Sequence, residues 1–177
     1  INFDQINLIV STGITAKNLT ETLKKYFNEN FGCCPKIILV HHQLGHIATA
    51  FYSSGFTEAT CISLDGFGDG QSGLIAEASL KNGIKKIEYV QKDNSFGNFY
   101  TMVTEYLGYT AGDEYKVMGL AAYGKNNLDF SKVIKINSKY WKFNNGYYKG
   151  RKSTYLDTYS EKFRKEFKNY RRKPNEK

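Results

Sequence analysis

No stretch of this 177-residue chain approaches the roughly 18 to 20 consecutive apolar residues that a membrane-spanning helix needs, so the sequence offers no membrane partner. The opening residues, INFDQINLIV, lack a basic segment followed by an apolar core, so no secretory leader is visible. Cysteine is scarce and odd in number, at three. Cys33 and Cys34 are neighbours, which rarely bridge, and Cys61 stands apart. A disulfide framework is therefore not expected, nor a metal pair of the CxxC kind, and a reducing, cytoplasmic setting is favoured.

The length is that of one domain, or a large part of one. With 14 Tyr and 12 Phe the chain can bury a real core. The formal charge of +8 is uneven, because residues 149–177 hold 11 Lys/Arg against 4 Asp/Glu. The body is nearly neutral and the tail is basic. Such a tail can contact RNA or phosphate, but a solvated helix with a frayed end is the plainer reading. No repeat and no long linker appears, so the chain divides into a body, residues 1–148, and a basic helical tail, residues 149–177, partly disordered. The first residue is Ile1, and the pattern opens midway, as a fragment of a longer protein would.

Taken in order, Ile6–Ser11 reads as a buried strand, and Ala16–Glu29 as a helix with Thr15 as N-cap and Gly32 beyond its end. Lys36–Val40 is a second buried strand, and His42–Ser53 a helix packing through Leu44, Ile47, Ala48 and Phe51. Ala59–Leu64 is a third buried strand, followed by a glycine-rich loop at 66–70 and a hairpin of Gly73–Ser79 with Ile84–Gln91. Phe96–Leu107 and Glu114–Tyr123 read as helices. Gly119, inside the second of these, points to close packing or close ligand approach. Ser131–Ile136 is a short strand, Tyr140–Phe143 and Tyr147–Lys149 flank a hairpin turn, and Leu156–Tyr170 is a basic amphipathic helix. Strand, helix, strand at the start places the chain in the α/β class.

Three constellations carry chemistry. His42 and His46 lie four apart on a helix, which puts both imidazoles on one face as neutral nitrogen ligands. An HExxH protease base is missing, since Gln43 stands where glutamate would. A histidine pair that caps and packs locally would show the same spacing. Next, Asp65 ends a strand before Gly66, Gly68 and Asp69. Gly68–Gly73 matches GxGxxG, but a strand follows where a dinucleotide fold needs a helix. An EF-hand starting at Asp65 fails at Phe67 and Ala76. A tight turn that admits phosphate to backbone N–H groups remains, alongside an ordinary turn. Last, Lys116 beside Gly119 could reach a phosphate or carbamoyl oxygen, or could simply be solvated.

Four stretches in order, HHQLGHIATAFYSSGF, the strand into DGFGD, NSFGNFYTMVTEYLGY and GDEYKVMGLAAYG, resemble the N-terminal domain of the O-carbamoyltransferases of nodulation-factor and antibiotic biosynthesis. That domain is similar to the metal-binding domain of the tRNA threonylcarbamoyladenosine enzymes and of the hydrogenase-maturation carbamoyltransferase. The resemblance covers roughly residues 5 to 148. It implies part of an actin-like ATPase fold, a mixed sheet with flanking helices. It implies an iron-type metal on His42, His46 and Asp65, with His41 less defined. Gly66, Gly68, Asp69, Lys116 and Gly119 are implied near the phosphates of ATP. The implied chemistry passes a carbamoyl group from carbamoyl adenylate, made from carbamoyl phosphate and ATP in a C-terminal adenylate-forming domain, to a hydroxyl of a small-molecule acceptor. That domain lies outside this chain, so the chain alone is expected to be inactive. A tRNA-modifying relative, or a non-catalytic module whose basic tail binds nucleic acid, are the alternatives. The EYKVMGLAAYG pattern favours the carbamoyltransferase and makes nucleic acid an unlikely partner.

Overall fold

The computed structural model describes residues 3–125, 128–137, 140–144, 146–147 and 159–170. In chain order these form β1 (Leu8–Thr12), α1 (Leu19–Phe31), β2 (Lys36–Val40), α2 (His42–Ser53), β3 (Glu58–Gly68), β4 (Gln71–Ser79) and β5 (Gly83–Gln91). There follow α3 (Phe96–Tyr106), α4 (Glu114–Ala121), β6 (Ile134–Ile136), β7 (Trp141–Phe143) and α5 (Glu161–Glu166). The chain separates into two compact units, residues 1–90 and 91–177. No linker signal marks that division in the sequence.

In the first unit β1 and β2 pair in parallel, Leu8 opposite Lys36 through Thr12 opposite Val40. The connection between them is α1, which ends where Gly32 takes φ 74° and its N–H closes on Asn28 O. Its start differs from expectation. Asn18 is the N-cap, in a left-handed conformation and without a side-chain cap bond, and Thr15 is engaged elsewhere. The α/β class holds, but parallel and antiparallel pairing occur in separate sheets among the described residues, with β3, β4 and β5 forming their own antiparallel sheet. Nor are the strands buried on both faces. Leu8 and Val10 on β1, and Ile62 and Leu64 on β3, are exposed.

α2 supplies the cover for β3 and β4. Gln43, Ile47 and Phe51 recur every four residues and are all buried. Ile47 packs with Leu74 and Ala76, against which Cys61, Ile84 and Tyr89 also lie. Alternation along β3 therefore turns Cys61, Ser63 and Asp65 toward α2. The strand outruns the expected Ala59–Leu64. Its ladder steps from Leu64–Gly73 directly to Gly68–Gln71, so Asp65, Gly66 and Phe67 form a bulge where a loop was expected.

The second unit is built on aromatic packing. Met102 and Tyr106 of α3, Val133, Phe143, Tyr147, Tyr159, Phe163 and Phe167 form one buried cluster. The Tyr106 hydroxyl donates to Phe167 O at 2.5 Å. β7 pairs with β6; the other strand expected there, Tyr147–Lys149, has residues 148 and 149 outside those described. The expected helix over Leu156–Tyr170 has its first residues, 156–158, outside those described, and among the described residues its α-helical part is Glu161–Glu166. It is not a solvated appendage, because Tyr159, Phe163 and Phe167 repeat at four-residue spacing and enter the core. The three cysteines are free, and no helix among the described residues is long and apolar enough to cross a membrane.

Phe163 is 2 % exposed at the centre of that cluster. Phe163→Ala should cost about 3–5 kcal/mol, read as a lower urea midpoint and as early proteolysis within residues 91–177. A loss under about 1 kcal/mol would show that the basic segment does not pack there.

Candidate metal centre

α2 begins at a point fixed from two sides. His41 is extended, with φ −62° and ψ 135°, and its Nδ1 accepts the Gln43 N–H at 3.2 Å. The His42 N–H donates to Asp69 Oδ2 at 2.8 Å. Two of the N–H groups that a helix start leaves without partners are thereby satisfied. His41 is thus a cap, and its ring packs tilted against Tyr89, with centroids 4.8 Å apart, rather than joining the other imidazoles.

With the start fixed, His42 and His46 stand one turn apart beside the buried stripe. His42 Nε2 lies 2.8 Å from Asp65 Oδ2 and 3.0 Å from His46 Nε2, and His46 Nε2 lies 3.6 Å from Asp65 Oδ2. Among the described residues these three form the group of donors suited to a metal ion. A transition metal bonded at about 2.0–2.2 Å to each would need donors roughly 3.0–3.5 Å apart. Two imidazoles and a carboxylate at these separations fit such an ion and leave coordination positions open. The His46 side chain is 52 % exposed, so one side of the triad is accessible from solution.

The Asp65 carboxyl feels opposing influences. Partial burial pushes its pKa up, but the Gly66 N–H and the nearby His42 and His46 outweigh this and hold it below the ordinary carboxylate value. Asp65 Oδ1 accepts the Gly66 N–H at 2.6 Å, leaving Oδ2 toward the imidazoles. Gly66, expected near phosphate, thus donates its N–H to the Asp65 carboxylate. Gly68 lies against His42: a Cβ built there would fall on the ring at Cγ and Cδ2. Only glycine leaves space for the imidazole in this position.

Asp69, expected beside phosphate, has its carboxylate engaged by the chain itself. Its Oδ2 accepts N–H groups of Gly13 at 3.1 Å and His42 at 2.8 Å, and its Oδ1 accepts the N–H and hydroxyl of Thr15 at 3.1 and 2.8 Å. Burial raises its pKa, but the combined donors of Thr15, His42 and Gly13 prevail and lower it to about 2. A carboxylate so occupied fastens the β3–β4 turn to the β1–α1 loop and the start of α2. Spacing within the turn gave no sign of this, nor of Gln43 and Ser63, buried beside Asp65.

Lys116 and Gly119 lie on α4, in the second unit. Lys116 Nζ pairs with Asp113 Oδ1 at 2.7 Å, which raises the lysine pKa and lowers that of the aspartate. A Cβ on Gly119 would meet nothing within 4 Å, so close packing within the described residues does not account for that glycine.

Two outcomes follow from the turn. Gly68→Ala should displace the His42 ring, seen as shifted His42 imidazole resonances with the β-sheet signals retained. In Asp69→Asn, either orientation of the amide sets an NH2 against N–H donors, at a cost of roughly 2 kcal/mol. The Asp69 pKa is depressed from 3.8 to about 2, so its contribution is complete above the ordinary value and lost as pH falls through that window. Acid titration of stability should therefore be shallower between those pH values in Asp69→Asn than in the parent chain.

The family model described as Carbamoyltransferase N-terminus matches residues 8–174, further than the four motifs reach and into the basic segment. The nodulation protein NolNO of Sinorhizobium fredii is 43 % identical over 89 residues, half of this chain and 13 % of that protein. The nodulation protein NolO of Bradyrhizobium diazoefficiens is 44 % identical over 84 residues, 48 % of this chain and 15 % of its own length. An uncharacterised protein of Methanocaldococcus jannaschii is 33 % identical over 132 residues, 73 % of this chain and 25 % of that protein. The chain thus spans between about an eighth and a quarter of these relatives. With the match covering nearly all of its residues, the protein belongs to the carbamoyltransferase family, whose N-terminal region it carries.

Proposed function

We propose that this chain is the metal-holding part of a carbamoyltransferase that moves a carbamoyl group from carbamoyl adenylate to the hydroxyl of a small-molecule acceptor. The observation that carries the proposal is the meeting of His42 Nε2, His46 Nε2 and Asp65 Oδ2 within 4.8 Å of one another. Family membership supports the group transferred. The resemblance of the four ordered motifs supports the finer points: iron as the metal, ATP as the source of the adenylate, an actin-like ATPase lobe as the fold, and an adenylate-forming domain elsewhere in a longer protein.

A metal held here would act as a Lewis acid on phosphate or carbonyl oxygens as negative charge develops. The chain's own residues would bind and orient it. The imidazoles offer neutral donors, and Asp65 the one formal negative charge. Its lowered pKa keeps Asp65 ionised near neutrality, so it can ligate without first losing a proton. The exposed flank at His46 is the approach for a phosphate-bearing ligand. The Gln43 carboxamide is engaged with Ser63 and the Gln71 carbonyl, which leaves it no role as a proton acceptor from substrate.

Loading the purified chain anaerobically with Fe(II), desalting it, and assaying metal by mass spectrometry should give about one ion per chain. His42→Ala, His46→Ala and Asp65→Asn should each weaken binding on the order of 100-fold, since each removes a direct ligand. A parent chain that retains no metal, or variants that retain as much as the parent, would overturn the proposal.

A further inference from the structure

Gln43 is the most completely buried polar residue beside the triad, at 0 % exposure. A buried carboxamide without partners is costly, and this one has three. Its Nε2 lies 3.2 Å from Gln71 O and 3.5 Å from Asp65 Oδ2, and its Oε1 accepts the Ser63 hydroxyl at 2.8 Å. The orientation of the amide is dictated by these neighbours. The Gln71 carbonyl and the Asp65 carboxylate can only accept, so the NH2 must face them, while the Ser63 hydroxyl can donate to the oxygen. Turned over, the amide would set oxygen against two acceptors.

The same arrangement follows from register. Gln43 belongs to the buried stripe of α2 with Ile47 and Phe51, and Ser63 sits on β3 two residues before Asp65. Helix and strand are therefore joined through one amide at the level where the carboxylate leaves the ladder. Asp65 itself lies where the β3–β4 register shifts, between Leu64 and Gly68. Gly66 constrains Oδ1, and the amide N–H stands beside Oδ2, the oxygen aimed at both imidazoles.

Resting on the metal reading above, we infer that Gln43, anchored by Ser63, is a positioning residue that holds the Asp65 carboxylate in its metal-ligating orientation. It stands in the slot that an HExxH site gives to a catalytic glutamate. There the side chain faces substrate, whereas here it is turned inward and supplies a neutral donor to a ligand. Hydrogen bonds of this kind to a ligating carboxylate typically change metal affinity 10- to 100-fold.

The test is Co(II) titration of the full 177-residue chain, followed by calorimetry and by the visible absorption of the bound ion. Gln43→Met keeps the volume and removes the amide. It should bind Co(II) about 10- to 100-fold more weakly with an altered visible spectrum. Ser63→Ala should lose affinity in the same direction, and Ser63→Thr, which keeps the hydroxyl, should restore it. Ser63→Ala also serves if Gln43→Met fails to fold. Ile47→Val weakens the same helix–sheet packing without touching the amide, and should leave affinity and spectrum unchanged. Parent-like affinity and spectrum in both Gln43→Met and Ser63→Ala would overturn the inference while leaving the metal reading intact. So would an equal loss in Ile47→Val, because the effect would then be general loosening. A parent chain that binds no Co(II) would remove the metal reading and this inference together.

Discussion

The geometry of the first unit depends on the carboxylate of Asp69. Its two oxygens take four donors from Gly13, Thr15 and His42, which belong to two segments far from it in sequence. Charge-assisted bonds to backbone N–H groups are shorter and stronger than neutral ones. They also act where the chain is least constrained by ladders, at the tip of the β3–β4 turn. Asp69 adopts a positive φ of 49° to deliver its carboxylate there, a conformation that aspartate tolerates better than most residues. The consequence reaches the metal centre indirectly. Once the turn is fastened to the α2 N-terminus, the bulge that carries Asp65 has little freedom to move away from His42.

Two aspartates four positions apart thus have opposite tasks, and their surroundings separate them. Asp69 is saturated by donors that carry no net charge and cannot leave, so its oxygens are spent on architecture. Asp65 has one oxygen fixed by its neighbour's N–H and the other facing two imidazoles. Glycine completes the division. At position 68 the absence of a side chain admits the His42 ring, while Gly66 offers its N–H to Asp65. A stretch that reads as a phosphate cradle is, within this unit, largely occupied with holding His42 and Asp65 in place.

What could be read from the residues alone was what depends on local periodicity. β2 and α2 fall on the expected bounds, Lys36–Val40 and His42–Ser53, because an apolar run and a four-residue stripe are short-range signals. The meeting of Asp65 with His42 and His46 came from a family resemblance, and the coordinates place those atoms together. Long-range polar contacts were not legible. Nothing near Thr15 announces that its hydroxyl bonds Asp69, 54 residues away, rather than capping α1. Gln43 was noticed for the glutamate it is not, since only the fold turns it toward Ser63. The aromatic stripe of Tyr159, Phe163 and Phe167 lies among lysines and arginines whose charge points to a solvated helix, yet it enters the core. Long cationic side chains can lie over an aromatic face while keeping their charge in water, as Lys162 does at 4.5 Å from the Tyr147 ring.

The start of α2 shows why so small a set of bonds can govern the site. Each residue added to a helix turns it by about 100°. Beginning the helix one residue earlier or later would carry His42 and His46 off the edge that faces Asp65, and would bring Gln43 out of the interior. Apolar packing alone tolerates such slips poorly but does not forbid them, since Leu44 and Ala48 could exchange places with Gln43 and Ile47 as the buried stripe. The cap removes that freedom. His41 Nδ1 takes the Gln43 N–H and Asp69 takes that of His42, so a shifted register would strand both acceptors and both donors. The doubled histidine then has two tasks in adjacent positions, one imidazole capping the helix start and the next facing Asp65 and His46, and neither can be moved without the other.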